Sequence, residues 1–314
     1  EQLCQYNERG FLALDGLVPL NEIAALQADV DRLLELAAGR KQHDELFDLE
    51  ETHSEHEPRV RRIKEPQNHS EAFRRLMRQP SILAVCRQLL RTGDLRHGAM
   101  KLNLKSASYG SAVQWHQDWA FYPHTNDDIL AVGVFLDEVT PENGPLLVMP
   151  GTHHGPLYSH HRDDGTFVGG LNPDEVGLDF ARHARAITGL AGTVSFHHVR
   201  LVHGSDINRS NCPRKILFLE VAAGDAWPLS GTSNYESFAD FCGTRMLCGT
   251  ATIQPRMEAL PIRMPWPKPT ETRFQGSIYA TQQLVENAYF DVSTTQNDSA
   301  VPAKRRLVNE ATEG

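Results

Sequence analysis

The chain has 314 residues, 40% of them hydrophobic and 23% charged, with a formal net charge of −9 at pH 7. That length accommodates a full core and the composition is ordinary for a soluble globular protein; no apolar run approaches the ~20 residues that span a bilayer. The acidic balance argues against nucleic acid or an anionic membrane surface as the main partner, and leaves room for an acidic small molecule held by a local cluster of lysines and arginines.

The first hundred residues read as helical. Asn21 is a candidate N-cap, Ile23, Leu26, Val30, Leu33, Leu34 and Ala37 follow at helical spacing, and Gly39 ends the run. The acidic, histidine-bearing stretch from His43 to Glu57 has weak periodicity and reads as a loop or lid. Ser70 can cap a second helix carrying Phe73, Leu76 and Met77. Pro80 interrupts it, and Ile82, Val85, Leu89 and Leu90 mark a restart. From about Leu95 the pattern changes. Residues 99–105 alternate polar and apolar, and Ile129 to Leu136, Leu146 to Met149, Val194 to Phe196 and Ile216 to Val221 are further β-rich runs. Asn143-Gly144 is a hairpin turn signal. Many short strands without regularly interleaved helices predict an antiparallel sandwich or barrel. Residues 230–270 are irregular and proline-rich, and the last twenty are polar and expected to fray. The five cysteines are scattered without a CxxC pair, and the N-terminus shows no signal pattern, so a reducing cytoplasm is expected.

The sharpest local feature is Trp115-His116-Gln117-Asp118. On an extended strand His116 and Asp118 share a face. An imidazole beside a carboxylate makes two ligands of a facial triad, and a second histidine completes it with positions left open on iron(II). Leu201-Val202-His203-Gly204-Ser205 supplies that histidine, at the end of an apolar strand. Eleven residues later Arg214 starts the strand Ile216–Val221, on one face with Ile216, Phe218 and Glu220. A guanidinium facing a core requires an anion, and its planar fork suits a carboxylate such as the distal one of 2-oxoglutarate. Ser205 offers a further hydrogen bond. Arg209, in a polar turn, is a second candidate clamp.

His116-Gln117-Asp118, Glu142-Asn143-Gly144-Pro145 leading to Met149-Pro150-Gly151-Thr152-His153, His203-Gly204-Ser205 and Arg214 together resemble the phytanoyl-CoA dioxygenase family, as does the opening Glu8-Arg9-Gly10-Phe11-Leu12. The likeness spans roughly residues 5–228. It implies a mainly β protein with flanking helices, built on a double-stranded β-helix, that is a cupin-like jelly roll. It implies iron(II) on His116, Asp118 and His203, and 2-oxoglutarate held by Arg214 and Ser205, with O₂ as the oxidant. Lys64 matches a basic residue that lies in the family's site, and Lys101 a residue that touches the cosubstrate. One domain over residues 1–314 is expected: a mainly helical part over 1–95, the jelly-roll core with the metal over 96–230, and an irregular extension over 231–314.

The reaction implied is hydroxylation of an unactivated C–H bond with release of succinate and CO₂; desaturation, epoxidation or demethylation would use the same ligands. Lys101, Asn103 and Lys105 share one strand face. Either this face is a solvated rim, or it lines the barrel and an anionic substrate, a carboxylate or phosphonate, neutralises it. Trp119, Phe121, Tyr122 and Trp227 read equally as pocket walls or as core aromatics. His153, His154, His160 and His161 read as solvated loop residues; His197 or His198 can pack beside the metal. A catalytically silent jelly roll, or an oxygenase of a neutral lipophilic compound or acyl-CoA, are the competing functions. No oligomeric state is legible.

Overall fold

The β-rich runs form the strands of two sheets, several of them buried on both faces. The computed structural model describes residues 1–232, 236–268 and 278–290. In chain order the elements are α1 (Gln2–Arg9), β1 (Phe11–Leu14), α2 (Leu20–Ala37), β2 (Phe47–Leu49), β3 (Val60–Lys64), α3 (Glu71–Leu76), α4 (Pro80–Leu89), β4 (Leu95–Lys105), β5 (Val113–His116), β6 (Ile129–Phe135), β7 (Leu146–Val148), α5 (Phe180–His183), β8 (Arg185–Ile187), β9 (Val194–His198), β10 (His203–Ser205), β11 (Arg214–Ala223), α6 (Phe238–Gly243), β12 (Met246–Cys248) and α7 (Ile278–Gln282). The large sheet runs β1-β9-β6-β11-β4-β3-β2, with β12 added to β4; the small one runs β5-β10-β7-β8. Every strand pairing is antiparallel.

The large sheet turns Leu102, Leu104, Leu130, Val132, Val134, Val194, Phe196, Leu217 and Leu219 outward. Helix α2 covers this face with Ile23, Leu26, Val30 and Leu33, joined by Phe73 of α3 and Ile82 and Cys86 of α4. The inner face carries Lys101, Asn103 and Lys105 of β4, Phe218 and Glu220 of β11, Ala131 of β6 and His197 of β9, all on one cavity. One end of the space between the sheets is closed by Phe135, Leu146, Val148, Ile187, Ile216 and Phe218. On the outer side of the small sheet Trp115 stacks on Phe180 at 4.6 Å and meets Phe290 at 5.4 Å.

Several expectations change. The first hundred residues are not purely helical, because β1, β2 and β3 add three strands to the large sheet. Helix α2 begins at Leu20 behind Pro19, whose carbonyl accepts from Ile23 N, so Asn21 is not the cap. Ser70 does cap α3, accepting from Phe73 N, and Pro80 opens α4. The stretch 43–57 contains β2. Asn143-Gly144 does not join a hairpin: β6 lies in the large sheet and β7 in the small one. Asn143 instead folds the crossover on itself, accepting from Thr140 N and donating to Glu138 O. The 230–270 region includes α6 and β12. The frayed tail expected at the end falls outside the described residues. All five cysteines are free, and no helix among the described residues is long and apolar enough to cross a membrane.

Candidate metal and cosubstrate site

Strand pairing explains how two histidines 87 positions apart in the sequence come to face one another: His203, the first residue of β10, is the register partner of His116, the last residue of β5. Directly paired residues share a face, and the two rings lie 4.1 Å apart. His203 therefore opens a strand and does not end one. Asp118 is past the end of β5, in a single 3-10 turn from Asp118 to Ala120. That turn, and not strand alternation, swings its carboxylate to 3.6 Å from His116 Nε2 and 3.8 Å from His203 Nε2. The ligating atoms of His116, Asp118 and His203 all lie within 4.8 Å of one another and all three residues are buried.

The donor set fits a divalent metal. Nδ1 of His116 donates to Gln114 O at 2.8 Å, and Nδ1 of His203 to Leu201 O at 2.8 Å. These bonds fix the tautomer and leave each Nε2 lone pair aimed at the cluster. Burial, then His116, pushes the His203 pKa well below its ordinary value, so its imidazole is neutral and ready to ligate. Burial alone would raise the Asp118 pKa, but His203, His116, His197 and Lys101 together hold it well below the usual carboxylate range. A carboxylate held ionised beside imidazole nitrogens suits an iron(II) facial triad.

A second site lies further along the same cavity. Arg214, first residue of β11, is paired in register with Lys105, last residue of β4. Both are buried. Arg214 donates through Nε and Nη2 to Gly144 O, while its Nη1 has no hydrogen-bond partner. Lys105 Nζ donates to Ser205 Oγ at 2.9 Å and to Asp206 O. Burial lowers Arg214 to about 10 and, with Arg214 beside it, holds Lys105 well below its usual value. Two cations on directly paired residues in a buried place are costly unless an anion joins them. The free Nη1 is a ready donor for one carboxylate oxygen.

A family model described as phytanoyl-CoA dioxygenase matches residues 6–216. This chain belongs to that family. A probable alpha-ketoglutarate-dependent hypophosphite dioxygenase of Stutzerimonas stutzeri is 35% identical over 294 residues, covering 92% of this chain and 99% of that protein. The L-proline trans-4-hydroxylase of Streptomyces griseoviridis is 32% identical over 51% of this chain and 66% of its own length. Among solved structures, EctD from S. alaskensis with bound Fe superposes with a TM-score of 0.59 at 28% identity, covering 71% of this chain and 76% of that one. The phytanoyl-CoA dioxygenase-family protein is accordingly an iron- and 2-oxoglutarate-dependent oxygenase with the jelly-roll fold of its relatives, and O₂ is its oxidant.

Of the residues singled out in the sequence, the structure gathers His116, Asp118, His203, Ser205, Arg214, Lys101 and Lys105 around one cavity of about 120 Å³. Four others lie elsewhere. Lys64 is occupied outside the cavity by Asp44 O and by Asp48 at 3.2 Å. Trp119 turns away from Asp118, donates to Pro261 O and packs on Ile129, Val199 and Ala226. Trp227 donates to Thr252 O and meets the Phe241 ring at 5.2 Å. Arg209 is exposed and paired with Asp206. Of the aromatics, Tyr122 lines the cavity and Phe121 sets its ring edge-on to His116 at 5.7 Å.

Sequence reading also missed residues. His160 is buried, not solvated: its Nδ1 donates to Tyr158 O and its Nε2 accepts from Gln117 N at 2.9 Å, pinning the backbone between two ligands. His197 was not missed: of the two histidines expected to pack beside the metal site it is the one on the cavity wall, with Nε2 3.7 Å from Asp118 Oδ2. Helix α7 brings Ile278 and Tyr279 to the cavity wall. Gln282 locks it there, accepting from Gln114 N at 2.8 Å and donating to Gly169 O at 2.8 Å. No periodicity announces these contacts; the only signals were the unusual number of histidines and the glutamine-bearing stretch near residue 282.

Proposed function

We propose that this enzyme hydroxylates a small oxyanion-bearing substrate, a phosphonate, phosphinate or carboxylate, with iron(II) held by His116, Asp118 and His203 and with 2-oxoglutarate held by Arg214, Ser205 and Lys105. The metal, when bound, couples O₂ reduction and decarboxylation of 2-oxoglutarate to succinate and CO₂ with oxidation of the substrate. The chain's own residues orient the cosubstrate, keep water out and supply charge.

The observation that carries the reading is the charge on the cavity wall. Three cations, Lys101, Lys105 and Arg214, face two carboxylates, Asp118 and Glu220. Divalent iron and dianionic 2-oxoglutarate cancel, which leaves one positive charge for the substrate to neutralise. The space, about 120 Å³, is small against the roughly 300–1,000 Å³ of drug-sized ligand sites. An acyl-CoA or a neutral lipophile meets neither the size nor the charge. Relatives named for hypophosphite and for L-proline act on small charged molecules, which supports the same class. The residues also differ from a silent jelly roll, since triad and guanidinium are all in place and buried.

The test is anaerobic addition of iron(II) and 2-oxoglutarate. A visible metal-to-ligand charge-transfer band is expected in the wild type and is lost in His116→Ala. Absence of the band in the wild type refutes the cofactor assignment. A succinate-release screen over small phosphonates, phosphinates and carboxylates against neutral lipophilic compounds then tests the substrate class; turnover stimulated only by the neutral compounds refutes it.

A further inference from the structure

Ten large apolar side chains are exposed among the described residues, and six of them come from one short part of the chain: Phe238, Ile253, Met257, Ile262, Met264 and Trp266. Ile253, Met257 and Trp266 are 70%, 68% and 60% exposed. Surface hydrophobes scattered singly need no explanation, but a run of them marks a place of contact.

These side chains sit on a fixed support. Residues 253–267 have neither helix nor strand and cross the body as a strap. The backbone of the strap is fastened at intervals. Thr252 O accepts from the Trp227 indole at 3.2 Å, Arg256 N donates to Asp225 O at 3.1 Å, and Glu258 N donates to Thr125 O at 2.9 Å. Further on, Pro261 O accepts from Trp119 Nε1 at 2.9 Å and Pro267 O from Phe167 N at 2.8 Å. Leu260 packs beneath against the Trp119 cluster, and Pro265 is buried. Pro255, Pro261, Pro265 and Pro267 stiffen the run. Phe238 continues the ridge beyond Ile253, lying parallel to Trp227 at 6.4 Å. A slack loop folds its apolar side chains away from water. A strap pinned through its own backbone holds them out, so a partner meets a preorganised surface and little ordering entropy opposes docking.

Size and charge select the occupant. Side chains exposed to this degree present on the order of 600 Å² together, the top of what a monomer shows in one patch. That approaches the ~800 Å² that each partner gives to a standard interface. Exposed Glu236 and Asp240 flank Phe238 at one end of the ridge, and Arg263 and Lys268 flank Trp266 at the other. Lys268 lies over the Trp266 ring at 6.0 Å. Turned end for end, the ridge is complementary to itself: apolar side chains meet apolar ones, and each cationic end meets an acidic end. An anionic membrane surface fits worse, because the chain carries a net charge of −9.

We propose that the strap is the contact surface of a symmetric dimer. A second copy of this chain docks on it antiparallel, covering Ile253, Met257 and Trp266 and setting Arg263 and Lys268 against Glu236 of the partner subunit and Asp240 of the partner subunit.

Sedimentation equilibrium of the full chain tests this. It should give a dimer with a dissociation constant in the micromolar range or tighter, as interfaces of this size do. Met257→Glu and Trp266→Glu each enter a two-fold contact twice, and each should weaken the dimer by roughly 30-fold or more. Leu190→Glu changes a side chain just as exposed (68%) away from the strap and should leave the dimer unchanged. Arg263→Glu should weaken it, and Glu236→Arg added to that variant should restore it. Far-ultraviolet circular dichroism like that of the wild type shows that each variant is folded. A wild type that stays monomeric overturns the proposal. So does a dimer that survives Met257→Glu and Trp266→Glu, or one that Leu190→Glu breaks. A chain that dimerises only after residues 291–314 are removed overturns it too, since its own end then occupies the strap. No recovery on the charge exchange overturns the antiparallel arrangement.

Discussion

Replacing His160 with Phe tests whether a residue that touches neither iron nor substrate holds the metal site in shape. Its Nε2 accepts from Gln117 N at 2.9 Å, and Gln117 lies between the ligands His116 and Asp118. Burial pushes the His160 pKa down to about 3, so the ring stays a neutral acceptor throughout the neutral range. Phe fills the same space and cannot accept. The Gln117 N–H is then buried and unpaired, which costs about 1–3 kcal/mol. The backbone can relieve this only by rotating the peptide between the two ligands. Iron(II) affinity should fall roughly 10–100-fold, the range seen when outer partners of metal ligands are lost. His160→Gln, whose side-chain oxygen can accept, should recover part of it. Anaerobic iron(II) titration of the three proteins, with melting of the metal-free forms in parallel, decides the matter. An unchanged iron dissociation constant in His160→Phe, with only the melting temperature lowered, would show that His160 supports the fold alone.

Arg214→Ala removes a charged donor worth about 1.5–3 kcal/mol, so 2-oxoglutarate binding should weaken roughly 10–150-fold with iron binding retained; equal titration midpoints for 2-oxoglutarate refute the assignment. Gly204→Ala places a Cβ 2.9 Å from Val113 O and 3.0 Å from the Phe290 ring, so it should lower stability by about 1–3 kcal/mol and loosen iron by shifting His203; a wild-type denaturation curve counts against the packing described. Burial holds His124 down at about 4, so the unfolded chain takes up its proton first, near pH 6.5. Stability should be full above that and fall by up to ~3 kcal/mol as pH drops through the window to 4; a melting temperature flat from pH 7 to 4.5 would contradict this. Gln282→Leu leaves Gln114 N without its acceptor and should raise proteolytic nicking near α7 along with the substrate KM, whereas unchanged nicking would mean that other contacts hold the helix.

The site was more legible than the chain around it. That His116, Asp118, His203 and Arg214 meet on one cavity could be expected because iron chemistry and anion binding restrict residue types and because strand alternation puts Arg214 on the inner face. The same logic failed one residue further on. Trp119 follows Asp118 into a 3-10 turn, where alternation no longer applies, and the ring turns into a different core. Strand β3, Val-Arg-Arg-Ile-Lys, escaped notice because Arg62 and Lys64 pair with Asp48 on the neighbouring strand, and a salt-bridged interior has no hydrophobic period. Asn143-Gly144 showed that a turn was needed without showing which sheet the chain would enter next. His160 and Gln282 act on backbone groups 43 and 168 positions away, a relation that only the folded chain contains.

The family match ends at residue 216, and so includes the metal ligands and Arg214 but neither Glu220 nor the α7 residues Ile278 and Tyr279 that complete the cavity wall. The cavity wall is thus drawn from both sides of that limit, with Lys101 and Tyr122 inside the matched length and Ile278 and Tyr279 beyond it. Exchange of the portion after residue 216 between two members of the family would reshape part of the wall and leave the iron ligands in place.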